Sequence, residues 1–202
     1  MKTLIITPAY SHAHHALHAA VMASGLPWMP LYNHSDLVRA RGILLTSALA
    51  RGAETLVLVD ADTIPGEGVL EAIAAEATPE RAVFGIYTLR DGRLSIEPRD
   101  PATAEVAITA GQPLPIVYGG LGLCAIHRAS LEVVALTLPL IQEAFVSWRP
   151  FCLPFVADGI YHADDRSLCA RLLAAGVELV ANPRLRVAHA VTRLVDDMAR
   201  SA

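Results

Sequence analysis

The chain has 202 residues, enough for one domain with a sizeable apolar core. Its 53% hydrophobic content and mean hydropathy of +0.42 would suit a membrane protein, yet charge, Pro or Gly breaks every long apolar run before it reaches spanning length. A formal net charge of -4 and a pI of about 6.0 give no field for attracting nucleic acid, and no basic run is interleaved with aromatics, so that class is excluded. Cys124, Cys152 and Cys169 lie far apart without a CxxC pair, a pattern of free thiols in a reducing compartment. The start of the chain, Met1 to Pro8, is too short in apolar residues for a signal-peptide core. The cytoplasm is the expected location. Lys2 is the only lysine, which rules out a P-loop and leaves the other cationic roles to arginine.

The elements follow a βα alternation. Leu4-Ile5-Ile6 is a short strand bounded by Pro8, and a helix follows from about His14 to Ser24, stopped by Gly25. A short apolar segment at Trp28 to Leu31 precedes Ser35, the predicted N-cap of a helix running to Arg51 and ended by Gly52. Thr55 to Val59 is apolar on both faces and ends at Asp60, the pattern of a central parallel strand. After Pro65 and Gly66 a helix is expected over Glu67 to Ala75, then a buried strand over Ala82 to Tyr87. From Arg90 to Pro115 the chain turns polar and Pro/Gly-rich, with an expected edge strand at Val106 to Thr109. Ile116 to Tyr118 and Leu123 to Ile126, separated by Gly119-Gly120-Leu121-Gly122, read as one kinked strand entering a helix at Ser130 to Leu136. Pro139 to Phe155 fits no element. A last helix over Asp164 to Ala175 ends at Gly176, and a strand over Val177 to Ala181 follows. With no internal repeat or linker, residues 1–202 read as one α/β domain with a doubly wound sheet.

Asp60-Ala61-Asp62 is the sharpest feature. Two short carboxylates just beyond a buried strand can point oxygens at one hard cation and at a diphosphate, which implies Mg or Mn. The same residues also suit an Asx-turn or a helix cap. The preceding strand favours the first use, because the carboxyl ends of parallel strands face the crevice where open α/β sheets bind ligands.

Two enzyme classes place acid, any residue, acid after an apolar strand. In phosphatases of the haloacid-dehalogenase type the pair follows the first strand, whereas here it follows two βα units, and Thr63 sits one position too early. The chain instead resembles the GT-A nucleotide-sugar glycosyltransferases, family-2-like. The resemblance rests on Thr7-Pro8-Ala9-Tyr10, Arg39-Ala40-Arg41, Val57 to Asp62, Gly119 to Arg128, and His162 to Arg171, in that order. It implies a GT-A fold, with a central mostly parallel sheet flanked by helices. It further implies that Asp60 and Asp62 bind Mn or Mg and the donor diphosphate, that His189 completes the metal site, and that Pro8 and Tyr10 border the nucleoside. Arg39 or Arg41 would meet the diphosphate, although on an exposed helix face either is equally a solvated charge. Gly120 and Gly122 would line the substrate site, and Asp164-Asp165 would supply the catalytic base, with Asp165 at the usual position. The acids also suit the first turn of a helix, where they complement its dipole. His189 reads equally well as a core histidine.

One departure stands out: the family commonly has Arg-Asn where this chain has Arg41-Gly42, and a mid-helix glycine costs about 1 kcal/mol. His12, His14, His15 and His18 suggest zinc through the one-turn spacing of His14 and His18, but no third ligand lies at a telling distance. Gly120 and Gly122 precede an apolar strand and so form no dinucleotide fingerprint. The expected activity is metal-dependent, inverting transfer of a sugar from a nucleoside diphosphate donor to a hydroxyl acceptor. The alternatives are a GT-A-like nucleotide-binding module without turnover and, more distantly, a DxD phosphatase.

Overall fold

The computed structural model describes residues 2–89 and 92–190; Arg90, where the polar stretch was expected to begin, lies outside them. In chain order the elements are β1 (Thr3–Pro8), α1 (His15–Ser24), β2 (Trp28–Leu31), α2 (Leu37–Ala50), β3 (Thr55–Val59), β4 (Thr63–Pro65), α3 (Val69–Glu76), β5 (Arg81–Ile86), β6 (Ile96–Pro98), α4 (Pro101–Thr109), β7 (Leu114–Gly119), β8 (Leu123–His127), α5 (Arg128–Leu136), β9 (Ile141–Gln142), β10 (Ser147–Trp148), β11 (Phe155–Ala157), β12 (Ile160–His162), α6 (Asp164–Ala174) and β13 (Glu178–His189). Among the described residues no helix is long and apolar enough to cross a membrane.

The main sheet has the order β2-β1-β3-β8-β5-β13-β7-β6, with β4 paired to β13 off that path. Strands β1, β2, β3, β5 and β13 share one direction, while β8 runs against both β3 and β5. Side chains alternate across a strand, so successive residues feed opposite layers. Leu4, Ile6, Leu56 and Leu58 join the layer that packs on α2, α5 and α6 through Leu45, Leu131 and Leu168. Ile5, Val57 and Val59 join the other layer, which packs on α1 and α3 through Leu17 and Ile73. The carboxyl ends of β1, β3, β5 and β13 therefore meet at one edge, which carries Pro8, Asp60, Tyr87 and His189.

Several expectations change. β3 is buried on both faces as its composition requires, but only its β1 neighbour is parallel; burial reports that both faces are covered, not which way a neighbour runs. Residues 106–109 belong to α4, not to an edge strand. Its start signal is local: Asp100 accepts from the Ala102 N–H at 3.0 Å, and Pro101 occupies the first turn. Asp36, not Ser35, caps α2 by accepting the Arg39 N–H at 3.0 Å. The expected kinked strand is two strands, β7 and β8, with different neighbours. The last strand is longer than 177–181 and reaches His189, with a register shift between Asn182 and Arg186. The unassigned segment after Pro139 holds the β9–β10 hairpin.

That hairpin explains Gly42. A Cβ there would lie 2.4 Å from Cε3 of Trp148 and 2.8 Å from the Arg149 carbonyl oxygen. The glycine lets the indole lie directly on α2, and a family-type asparagine has no room. Gly42→Ala is expected to lower the thermal midpoint, with a cost of about 1–3 kcal/mol for overpacking against a backbone atom, even though alanine has the better helix propensity. A calorimetric scan of the variant checks this; a higher midpoint than wild type would contradict the close packing.

Candidate active site

Beyond β3 the chain makes a tight turn. The Asp60 N–H donates to the Gly122 carbonyl at 3.1 Å and the Thr63 N–H to the Asp60 carbonyl at 3.0 Å. Helix α3 begins only after Gly68, without a side-chain cap, so neither Asp60 nor Asp62 is used to cap it.

The centre of the site is Arg41. Its side chain projects from α2 into the protein and is 2% exposed, which corrects the expectation of an exposed helix face. Nη2 donates to both oxygens of Asp60 at 2.9 and 3.0 Å. Nη1 donates to Asp164 Oδ2 at 2.8 Å and Asp165 Oδ1 at 2.5 Å. Burial opposes the charge on Arg41, but Asp60, Asp165 and Asp164 outweigh it and hold the guanidinium well above its ordinary proton affinity. Arg39 points elsewhere. It forms an ion pair with Glu143 and contacts His34 at 3.1 Å. Hydrogen bonds from Arg39 and Trp148 draw the Glu143 carboxyl down to about 2, which ties the β9–β10 hairpin to α2.

Two cavities flank the arginine cluster. One, of about 610 Å³, is lined by Pro8, Tyr10, His12, Asp60, Asp62 and His189 among others. The other, of about 410 Å³, is lined by Glu97, Tyr118, Asp164, Asp165 and Arg166 among others. In the first cavity, His189 Nε2 lies 3.1 Å from Asp62 Oδ2. This contact follows from the pairing of β4 with the end of β13, which sets Thr63 opposite His189. Asp60, Asp62 and His189 do not converge as a three-ligand cluster, and among the described residues no group of three His, Cys, Asp or Glu side chains does. The physical reason is that Arg41 takes both Asp60 oxygens. Asp62 and His189 remain as a carboxylate–imidazole pair facing the cavity, an O/N donor pair of the kind first-row divalent ions take.

The α1 histidines have other uses. His14 Nδ1 accepts the Ala16 N–H at 3.2 Å and caps the helix, while His18 meets Trp28 edge-on.

Gly120 and Gly122 line neither cavity. They are buried against Tyr87, whose hydroxyl would lie 2.4 and 2.5 Å from a Cβ at each position. The Tyr87 oxygen accepts the Gly122 N–H at 3.0 Å, and burial pushes its own proton affinity well up. Sequence reasoning missed Tyr87; its place at the carboxyl end of β5 was the available signal.

Asp164 and Asp165 open α6, whose N-cap Ala163 makes no side-chain hydrogen bond. Asp165 Oδ2 accepts the Leu121 N–H at 3.2 Å. Burial raises the Asp165 pKa above the ordinary carboxylate value; Arg41 and the Leu121 N–H pull it down, while Asp60 and Asp164 push it up. Asp164 uses Oδ2 for Arg41, and the side chain is 29% exposed. Tyr118, across the second cavity, is pushed up to about 12 by burial and by Asp165.

The chain is similar in structure to A197 from STIV, with a TM-score of 0.59 and 18% identity over 93% of each chain. It is also similar to GalNAc-T7, crystallised with UDP, GalNAc and Mn2+, with a TM-score of 0.51 and 12% identity. The chain has a GT-A fold. The alignment to GalNAc-T7 covers 93% of this chain but 43% of that one, so this GT-A unit matches less than half of the larger protein. No family model and no curated protein matches the chain in sequence.

Tyr87→Phe leaves the buried Gly122 N–H without its acceptor. The expected loss is about 1–3 kcal/mol of stability, measured by urea unfolding. A variant as stable as wild type would show that this N–H has another partner.

Proposed function

We propose that the chain is a glycosyltransferase that moves a sugar from a nucleoside diphosphate donor to a hydroxyl acceptor with inversion. The observation that carries this reading is the separation of tasks across one buried arginine. Asp62 and His189 face one cavity, and Asp164 and Asp165 face another. The first cavity would take the donor, with Pro8 and Tyr10 beside the nucleoside. Asp62 and His189 would hold Mn or Mg there, with Asp60 behind them. Such an ion supplies a counter-charge for the leaving diphosphate.

The second cavity would take the acceptor. As its hydroxyl oxygen bonds to the anomeric carbon, the bond from that carbon to the diphosphate oxygen breaks and the hydroxyl proton passes to Asp165. Burial suits Asp165 to this step, because a raised pKa makes it a stronger base than an open carboxylate. A phosphatase reading fits less well, because the acidic pair follows β3 and two βα units and not the first strand. The cysteines are free and buried, which suits a reducing compartment, and the cytoplasm is the proposed location.

Asp62→Asn and His189→Ala are each expected to abolish the Mn-dependent rise in thermal midpoint given by nucleoside diphosphates, without unfolding the protein. Unchanged stabilisation in both would remove the pair from the metal site.

Asp165→Asn keeps size and is expected to leave donor affinity near wild type while slowing single-turnover transfer by roughly a hundredfold or more. In wild type the rate should fall as pH drops through the Asp165 pKa, which burial raises from its ordinary value, because protonation removes the base. Equal rates in both proteins would contradict the assignment. Tight donor binding without transfer or donor hydrolysis in wild type would favour a nucleotide-binding module.

A further inference from the structure

A guanidinium has five N–H donors in a rigid fork and no acceptor. In Arg41 Nη1 donates to Asp164 and to Asp165, and Nη2 meets both oxygens of Asp60. The fifth donor, on Nε, is buried without a hydrogen-bond partner among the described residues. The donor cavity contains Asp60 in its wall but not Arg41, and the second cavity contains Asp164 and Asp165 but not Arg41. The arginine therefore lines neither cavity, yet touches the acids of both.

We infer that Arg41 is a positioning residue. It holds the Asp60 and Asp165 carboxylates in one fixed geometry, so that the donor and acceptor cavities keep their relative placement, and it does not contact the donor diphosphate. This rests on the glycosyltransferase reading for the identity of the two cavities.

The placement of Arg41 is itself over-determined. Trp148 lies against the next residue, Gly42, and the Arg149 N–H donates to Thr46 Oγ1 at 2.9 Å one turn further along α2. The helix cannot rotate to carry the guanidinium towards a cavity without breaking that packing. Lysine at this position keeps the charge but loses the fork, because one ammonium nitrogen cannot lie both beside Asp60 and between the two α6 acids as Nη2 and Nη1 do. Misplacement of reacting groups by about 1 Å costs on the order of a hundredfold in rate, so a small slackening at Asp165 is readable as lost turnover.

The test compares wild type with Arg41→Lys, with Arg41→Gln as a second variant. Affinities for a nucleoside monophosphate and a nucleoside diphosphate are measured with Mn, and single-turnover transfer is measured at saturating donor. A positioning role gives Arg41→Lys the same ratio of diphosphate to monophosphate affinity as wild type, with transfer slowed by at least about tenfold. Arg41→Gln, which leaves three acids without their counter-charge, is expected to lose more thermal stability than Arg41→Lys; if it fails to fold, Arg41→Lys carries the test. A selective loss of diphosphate affinity in Arg41→Lys would overturn the inference in favour of direct phosphate contact. Transfer at the wild-type rate, or a proportional loss of affinity, transfer and stability, would also overturn it. A wild type that binds donor without transfer removes only the glycosyltransferase reading. The inference is then decided by the ¹³C resonance of the Asp165 carboxyl, which Arg41→Lys shifts if Arg41 holds that group and leaves in place if it does not.

Discussion

The whole site depends on one buried cation shared by three carboxylates. Taking charges out of water costs several kcal/mol for each ion, and the cost is recovered only when geometry and hydrogen bonding are close to complete. Arg41 meets three carboxylates at 2.5–3.0 Å, Asp60, Asp164 and Asp165, with its Nε left without a partner among the described residues. One cation against three acids leaves the cluster short of positive charge. That shortage, together with burial, raises the Asp165 pKa despite an arginine 2.5 Å away. It also ties three distant parts of the chain together: the second helix, the turn after β3 and the start of α6.

The backbone around this cluster is packed with almost no tolerance. Gly42 admits the Trp148 ring, Gly119 admits Phe84, and Gly120 and Gly122 admit Tyr87. Each glycine works through the space it leaves. The Gly-rich stretch thus carries the Leu121 N–H to Asp165 and the Gly122 N–H to Tyr87, so that backbone donors fix side chains on both sides of the acids. Packing of this kind gives few ways to shift one acid without shifting its neighbours.

Much of the fold was legible in the sequence because it follows from periodicity and punctuation. The buried run Thr55 to Val59, the glycine after α1 and the acids opening α6 all mark elements that form. Residues 106–109 misled because a local Val/Ile content was weighed above the Asp100-Pro101 start signal. The direction of β8 was hidden for a different reason: strand pairing is non-local, and an apolar run carries no sign of its neighbour's orientation. In the site, the carboxyl ends of strands pointed to Asp60 and Asp62, and the register of β4 against β13 brings His189 to Asp62. The environment of Arg41 was not legible. A charged residue on a helix is ordinarily solvated, and only the three-dimensional meeting of α2, β3 and α6 shows that it is enclosed by acids. Gly42, a departure when compared with a family pattern, becomes a requirement once Trp148 is seen against it.

The central claim is that Asp62 and His189 serve a donor-bound ion while Arg41 remains buried among its acids. A crystal structure grown with Mn and a nucleoside diphosphate, with anomalous data at the manganese edge, tests it most directly. The account predicts a single strong anomalous peak within bonding distance of Asp62 and His189, phosphate oxygens on its open side, and Arg41 still bound to Asp60 and Asp165. An ion bound away from both residues, or a guanidinium turned out of its acid cluster onto the phosphates, would contradict it.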